Sequence, residues 1–129
     1  MRGYLLDTNV ALLAGQAPER LPRPVRRALE TGPGFISVIS YWEVMIKTMK
    51  GNLDVGDARR WWADSVADMV LTPVMFRPEH VAAIQRLEPH HSDPFDRAII
   101  ATAIAEELVL LTTDKGLNAY AGHGLKILR

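Results

Sequence analysis

Short uninterrupted apolar runs alternate along the chain with longer stretches whose apolar residues recur every three or four positions. Tyr4–Leu6 is the first such run and ends on Asp7, as a buried strand would. Val10–Ala14 reads as a short helix. A stretch punctuated by Pro18, Pro22 and Pro24 follows, then a helix from about Pro24 to Glu30 that Thr31-Gly32-Pro33-Gly34 breaks. Phe35–Val38 is a second strand. Ile39, Trp42, Met45, Ile46 and Met49 then recur at helical spacing until Gly51. From Asp57 to about Met69 runs another helix, with Trp61, Trp62, Val66 and Met69 as its apolar contacts. Leu71–Phe76 is a third strand, although Pro73 either counts against it or marks its start. Pro78–Leu87 and Pro94 to about Glu107 are helices, and Leu108–Leu111 and Leu125–Leu128 are the last strands.

Strands without polar alternation, interleaved with helices, predict an α/β fold: a mostly parallel sheet of four to five strands, covered by helices on both faces, with right-handed crossovers. A length of 129 residues suits one domain, and no repeat, low-complexity tract or linker divides residues 1–129. Composition changes this picture little. The 48% hydrophobic and 23% charged residues are ordinary for a soluble globular protein. The 15 basic residues equal the 15 acidic ones, which argues against a partner held by bulk charge alone and leaves room for local basic patches. The absence of cysteine excludes disulfides and thiolate metal sites and fits a cytoplasmic protein. Asp7, Thr8 and Asn9 interrupt the first apolar run, so it is not the core of a signal peptide. No uncharged apolar run approaches the ~18 residues of a membrane span. The expectation is a soluble, cytoplasmic protein.

The chemistry lies in the acids. Ligands of an open parallel sheet bind outside the carboxyl ends of its strands. Asp7 ends the first strand, and Asp114 follows Leu108–Leu111 after Thr112 and Thr113. Taken singly, each is also a good turn or cap residue. Glu43 shares the helical stripe of Ile39 and Ile46; it either completes a capping box with Ser40 or points inward, where an unpaired carboxylate needs a cation or hydrogen bonds. In Asp93-Pro94-Phe95-Asp96, Asp93 suits the helix cap and Pro94 the first helical position. That leaves Asp96, on an apolar face, for chemistry. Asp7, Glu43, Asp96 and Asp114 gathered at one side of a sheet could not all stay ionised without a compensating cation. Oxygen-only ligands suit Mg²⁺ or Mn²⁺ better than zinc.

Leu5-Leu6-Asp7-Thr8-Asn9, Ser37–Lys47 carrying Glu43, Asp93-Pro94-Phe95-Asp96-Arg97 followed by Ile99-Ile100-Ala101, and Leu111-Thr112-Thr113-Asp114 resemble the ordered motifs of PIN-domain nucleases. More narrowly, the chain resembles VapC-type toxins of bacterial toxin–antitoxin pairs, from Tyr4 to Leu128. The resemblance implies a three-layer α/β/α sandwich, an Mg²⁺- or Mn²⁺-dependent endoribonuclease, and a cognate VapB-like antitoxin. Asp7 and Asp96 look like the principal metal ligands, completed by Glu43 and Asp114. Thr8, Asn9 and Thr112 or Thr113 would support them by hydrogen bonds, and Asp93 would assist beside its capping role. Lys47, Lys50, Arg97 and Lys115 are candidates to neutralise the RNA backbone. The cluster Arg20, Arg23, Arg26 and Arg27 reads as a solvated helix face, with binding of RNA or an acidic partner segment as the alternative. Adjacent Trp61 and Trp62 cannot both face inward, so one is expected on a partner surface, in a homodimer or against the antitoxin.

Three other readings compete. His90-His91-Ser92-Asp93 with His80 or His123 suggests zinc, but adjacent histidines point apart and no HExxH spacing exists. A phosphotransfer enzyme of the haloacid-dehalogenase type would use Asp7 but expects an acid where Asn9 stands. A non-catalytic binding module needs no cation at all.

Overall fold

A central strand, β1 (Tyr4–Leu6), organises the molecule. The computed structural model describes residues 2–88, 93–114, 116–117, 120 and 124–129. Following β1 come α1 (Thr8–Gln16), a 3-10 turn (Pro18–Arg20), α2 (Arg23–Thr31), β2 (Gly34–Ser37), α3 (Val38–Met49), α4 (Ala58–Asp68) and β3 (Leu71–Val74). The order closes with α5 (Pro78–Ile84), α6 (Pro94–Ala105), β4 (Val109–Leu111) and β5 (Lys126–Leu128). The five strands form one all-parallel sheet in the order β3-β2-β1-β4-β5. Order reverses between β1 and β4, which opens a crevice at their carboxyl ends.

The alternation of the pleat sorts the apolar residues into two layers. Leu5, Phe35, Leu110 and Ile127 pack with α6 on one face. Leu6, Ile36, Leu111 and Leu128 pack with α1, α2 and α4 on the other. The sheet is thus the middle of an α/β/α sandwich. No helix among the described residues is long and apolar enough to cross a membrane.

Caps set the boundaries, and they move several of the expected ones. Asp7 accepts from the Val10 amide, so α1 starts at Thr8 rather than Val10. Ser37 accepts from the Ile39 amide and caps α3, which ends β2 one residue early and removes the alternative of a capping box on Ser40. Ser40 is instead buried inside the helix. Pro73 lies on the edge strand β3, where its missing N–H breaks no central ladder. Beyond Ile84 the chain leaves the helix in a turn, so α5 is shorter than expected.

Candidate active site

The crevice at the reversal of strand order holds a polar cavity of about 280 Å³, with Asp7, Glu43, Asp93, Asp96, Asp114 and Lys47 in its wall. Asp7 hangs from the end of β1 and Asp114 from the loop after β4. Glu43 projects from the second turn of α3, and Asp93 and Asp96 from the start of α6. Four segments distant in sequence therefore deliver carboxylates to one place. A larger cavity of about 520 Å³ beside α2 is lined by Arg23 and Arg27 but by no acid, and it lacks the groups that would do chemistry.

Local hydrogen bonds hold the β1 and β4 ends together. The Asp7 amide donates to the Leu111 carbonyl at 3.0 Å, and Asn9 Nδ2 donates to Thr113 Oγ1 at 2.9 Å. The buried Thr112 hydroxyl accepts from the Asp114 amide at 3.0 Å and is hydrogen-bonded to Asp7. One Thr side chain thereby links the two acids. Asp114 Oδ1 takes the Gly116 amide at 2.8 Å, closing a tight turn at the cavity mouth. Asp93 Oδ1 accepts from the amides of Phe95 and Asp96, the cap expected of it, and still faces the cavity.

Glu43 is buried, with both oxygens engaged. Thr8 Oγ1 lies 2.7 Å from Oε1 and 2.9 Å from Ser40 Oγ. A hydroxyl has one proton, so with it given to the carboxylate, Ser40 is the donor in the second contact. Lys47 Nζ donates to Oε2 at 2.6 Å. Asp7 is the electrostatic outlier. Burial pushes its pKa up to about 6; the Thr112 and Val10 hydrogen bonds pull it down, while the charges of Asp114 and Glu43 add to the rise. A carboxylate this poorly compensated is a place where a cation would be welcome.

The donors are hard oxygens, which suits Mg²⁺ or Mn²⁺. Among the described residues no group of three or more His, Cys, Asp or Glu side chains is already arranged to hold a metal ion.

Several expected roles are corrected. Arg97 is not a free phosphate contact: its guanidinium donates to the carbonyls of Ile84, Leu87 and Glu88 and ties the end of α5 to α6. Lys47 is paired with Glu43, an i, i+4 relation that the sequence already contained. Lys50 is exposed at the end of α3, and Lys115 lies outside the described residues. For the zinc reading, His80 is buried with Nδ1 accepting from the Arg77 amide and Nε2 facing Glu106 at 3.1 Å. His90, His91, Ser92 and His123 lie outside the described residues. Trp61 and Trp62 are both half-buried against the α1–α2 layer, with Trp62 stacked on Tyr41 at 4.9 Å. The exposed tryptophan is Trp42, 56% accessible, whose ring meets Phe95 edge-on.

Comparison with known proteins gives this parallel frame, with acids at its reversal point, a family. The profile of the PIN domain matches residues 4–123, and the chain belongs to the PIN-domain family. It is 26% identical over 121 residues, covering 93% of each chain, to Ribonuclease VapC22 of Mycobacterium tuberculosis. Among solved structures it is similar to VapBC2 from Rickettsia felis bound to a DNA fragment from their promoter. The TM-score is 0.70 at 17% identity, over 97% of this chain and 96% of that one. It is also similar to DNA-bound VapBC from Salmonella typhimurium, with a TM-score of 0.69 at 18% identity, over 99% and 98%. The likeness to these structures is one of fold.

Proposed function

We propose that the chain is a divalent-cation-dependent endoribonuclease, a hydrolase of RNA phosphodiester bonds, and the toxin of a VapBC-type pair acting in the cytoplasm. The observation that carries this reading is the convergence of Asp7, Glu43, Asp96 and Asp114 from four segments on one cavity. The ribonuclease name of the curated relative and the VapBC assemblies among the structural neighbours support it. Asp7 and Asp96 would hold the Mg²⁺ or Mn²⁺ ion, with Glu43 and Asp114 completing the set directly or through water. When bound, such an ion supplies positive charge that eases ionisation of water and offsets charge on phosphoryl oxygens.

The chain's own residues prepare that site. Thr112 and Val10 hold Asp7 in one orientation, and Thr8 fixes Glu43. Asn9 and Thr113 close the wall between the two strand ends. Asp93 starts α6 so that Asp96 faces the same opening. A cognate VapB-like antitoxin is the expected inhibitor, and self-association belongs to the same reading; light scattering of the purified chain gives its stoichiometry.

The test is incubation of the purified chain with a labelled RNA pool, with Mg²⁺, with Mn²⁺ and with chelator. Asp7→Asn and Asp96→Asn should each reduce cleavage by about a hundredfold or more, with far-UV circular dichroism unchanged. Cleavage that survives both substitutions, or survives chelator, overturns the assignment.

A further inference from the structure

One cation already stands among the acids of this cavity. The Lys47 ammonium lies 2.6 Å from Glu43 Oε2, at the short end for a charge-assisted bond. The acid end of the pair is buried, 5% exposed at its side chain, whereas the lysine side chain is 45% exposed and enters from the rim. An ordinary exposed i, i+4 pair contributes little. This one differs, because its acid cannot turn to water and because further carboxylates stand beside it. Asp93 and Asp96 line the same cavity wall as this pair.

We propose that Lys47 is the resident counter-ion of the acidic cavity: it balances Glu43, together with Asp93 and Asp96, and releases Glu43 when a divalent ion enters. The inference rests on the cation-dependent reading above and adds a control to it, since loading becomes an exchange of cations rather than a simple addition. An incoming ion meets the repulsion of a positive charge already present and must take Glu43 from a short hydrogen bond. The flexible four-carbon stem lets the ammonium leave without movement of the α3 backbone. Once released, it stands at the mouth of the cavity, where an anionic backbone would enter. The phosphate-binding role expected of Lys47 from the sequence then follows ion uptake instead of preceding it.

The experiment is Mn²⁺ titration of the full chain by calorimetry, and by the Mn²⁺-induced rise in Tm, for wild type, Lys47→Met, Lys47→Arg and Asp96→Asn. Methionine keeps much of the apolar stem and removes the charge. Lys47→Met should bind Mn²⁺ roughly tenfold more tightly than wild type. It should also melt lower in chelator and gain more from Mn²⁺. Lys47→Arg retains a cation and should bind as wild type does. Mn²⁺ binding by Lys47→Met that is equal to or weaker than wild type, with Asp96→Asn losing it, overturns the counter-ion role and leaves the cation-dependent reading standing. No Mn²⁺ uptake by any of these proteins overturns both. If methionine prevents folding, Lys47→Gln carries the same comparison under the same criteria.

Discussion

Asp7 performs two tasks that pull its energetics in opposite directions. Its Oδ1 caps α1, which stabilises the helix start. Its burial makes the ionised form costly, and the pKa rises from 3.8 to about 6. Below the lower value the folded and unfolded chains both carry the proton. Between the two values the folded chain keeps a proton that the unfolded chain has lost, and above about 6 folding must bury the anion. The contribution of Asp7 to stability is therefore fully present at low pH and declines as pH rises through this window. Asparagine caps a helix about as well and carries no charge. In chelator at pH 7.5, Asp7→Asn should be the more stable protein by up to about 3 kcal/mol, an advantage that shrinks toward pH 4.5. Thermal melts across that range check this, and a less stable variant at pH 7.5 would refute it. The same residue explains why sequence reasoning could only weigh capping against chemistry. At Asp7 and Asp93 the two are not rivals, because a cap oxygen faces one way and leaves the other side of the carboxylate to the cavity. For Glu43 the stripe left a capping box and an inward acid both open; its partner Thr8 comes from a different segment, and no local pattern announces that contact.

At the scale of elements, two helices end on residues poorly suited to the conformation they adopt. Val70 after α4 has φ of 52° and Glu107 after α6 has φ of 56°. After α6, the Leu108 amide donates to the Ala103 carbonyl and the Glu107 amide to Ile104, a Schellman ending whose left-handed position usually holds glycine. Glu107→Gly and Val70→Gly should each stabilise the chain by about 0.5–1 kcal/mol through relief of that strain. Urea midpoints measure the change; a lower midpoint in both would contradict it. These endings also show why strand and helix identities were readable while their limits were not. Apolar spacing marks a helix anywhere along its length, but α6 ends at Ala105 with no glycine or proline nearby to announce it. At the start of α3 the sequence offered Ser40 as the cap, whereas the pairing of β2 with β3 carries the strand through Ser37, which takes that role.

For the whole molecule, the two hydrophobic layers are built on opposite faces of the same strands, β1 among them. Leu5 belongs to one layer and Leu6 to the other, and both are fully buried. If residues 1–129 form one cooperative unit, Leu5→Ala and Leu6→Ala should each cost about 3 kcal/mol and lower the same single transition. Two resolved transitions in calorimetry, each sensitive to one substitution, would divide the chain. The pattern of short apolar runs made this layered architecture legible. What the sequence could not display was the order of strands, because the reversal that brings β1 beside β4 comes from pairings between segments far apart.

That strand order also decides when the cavity first exists. Asn9 and Thr113 are separated by 104 positions, so the second wall of the cavity is translated long after the first. A growing polypeptide that has emerged only as far as α6 exposes one open edge of β1, and Asp7 waits there without Leu111 or Thr112. Asp114, carried by the loop after β4, can join Asp7, Glu43 and Asp96 only once that second wall has been made.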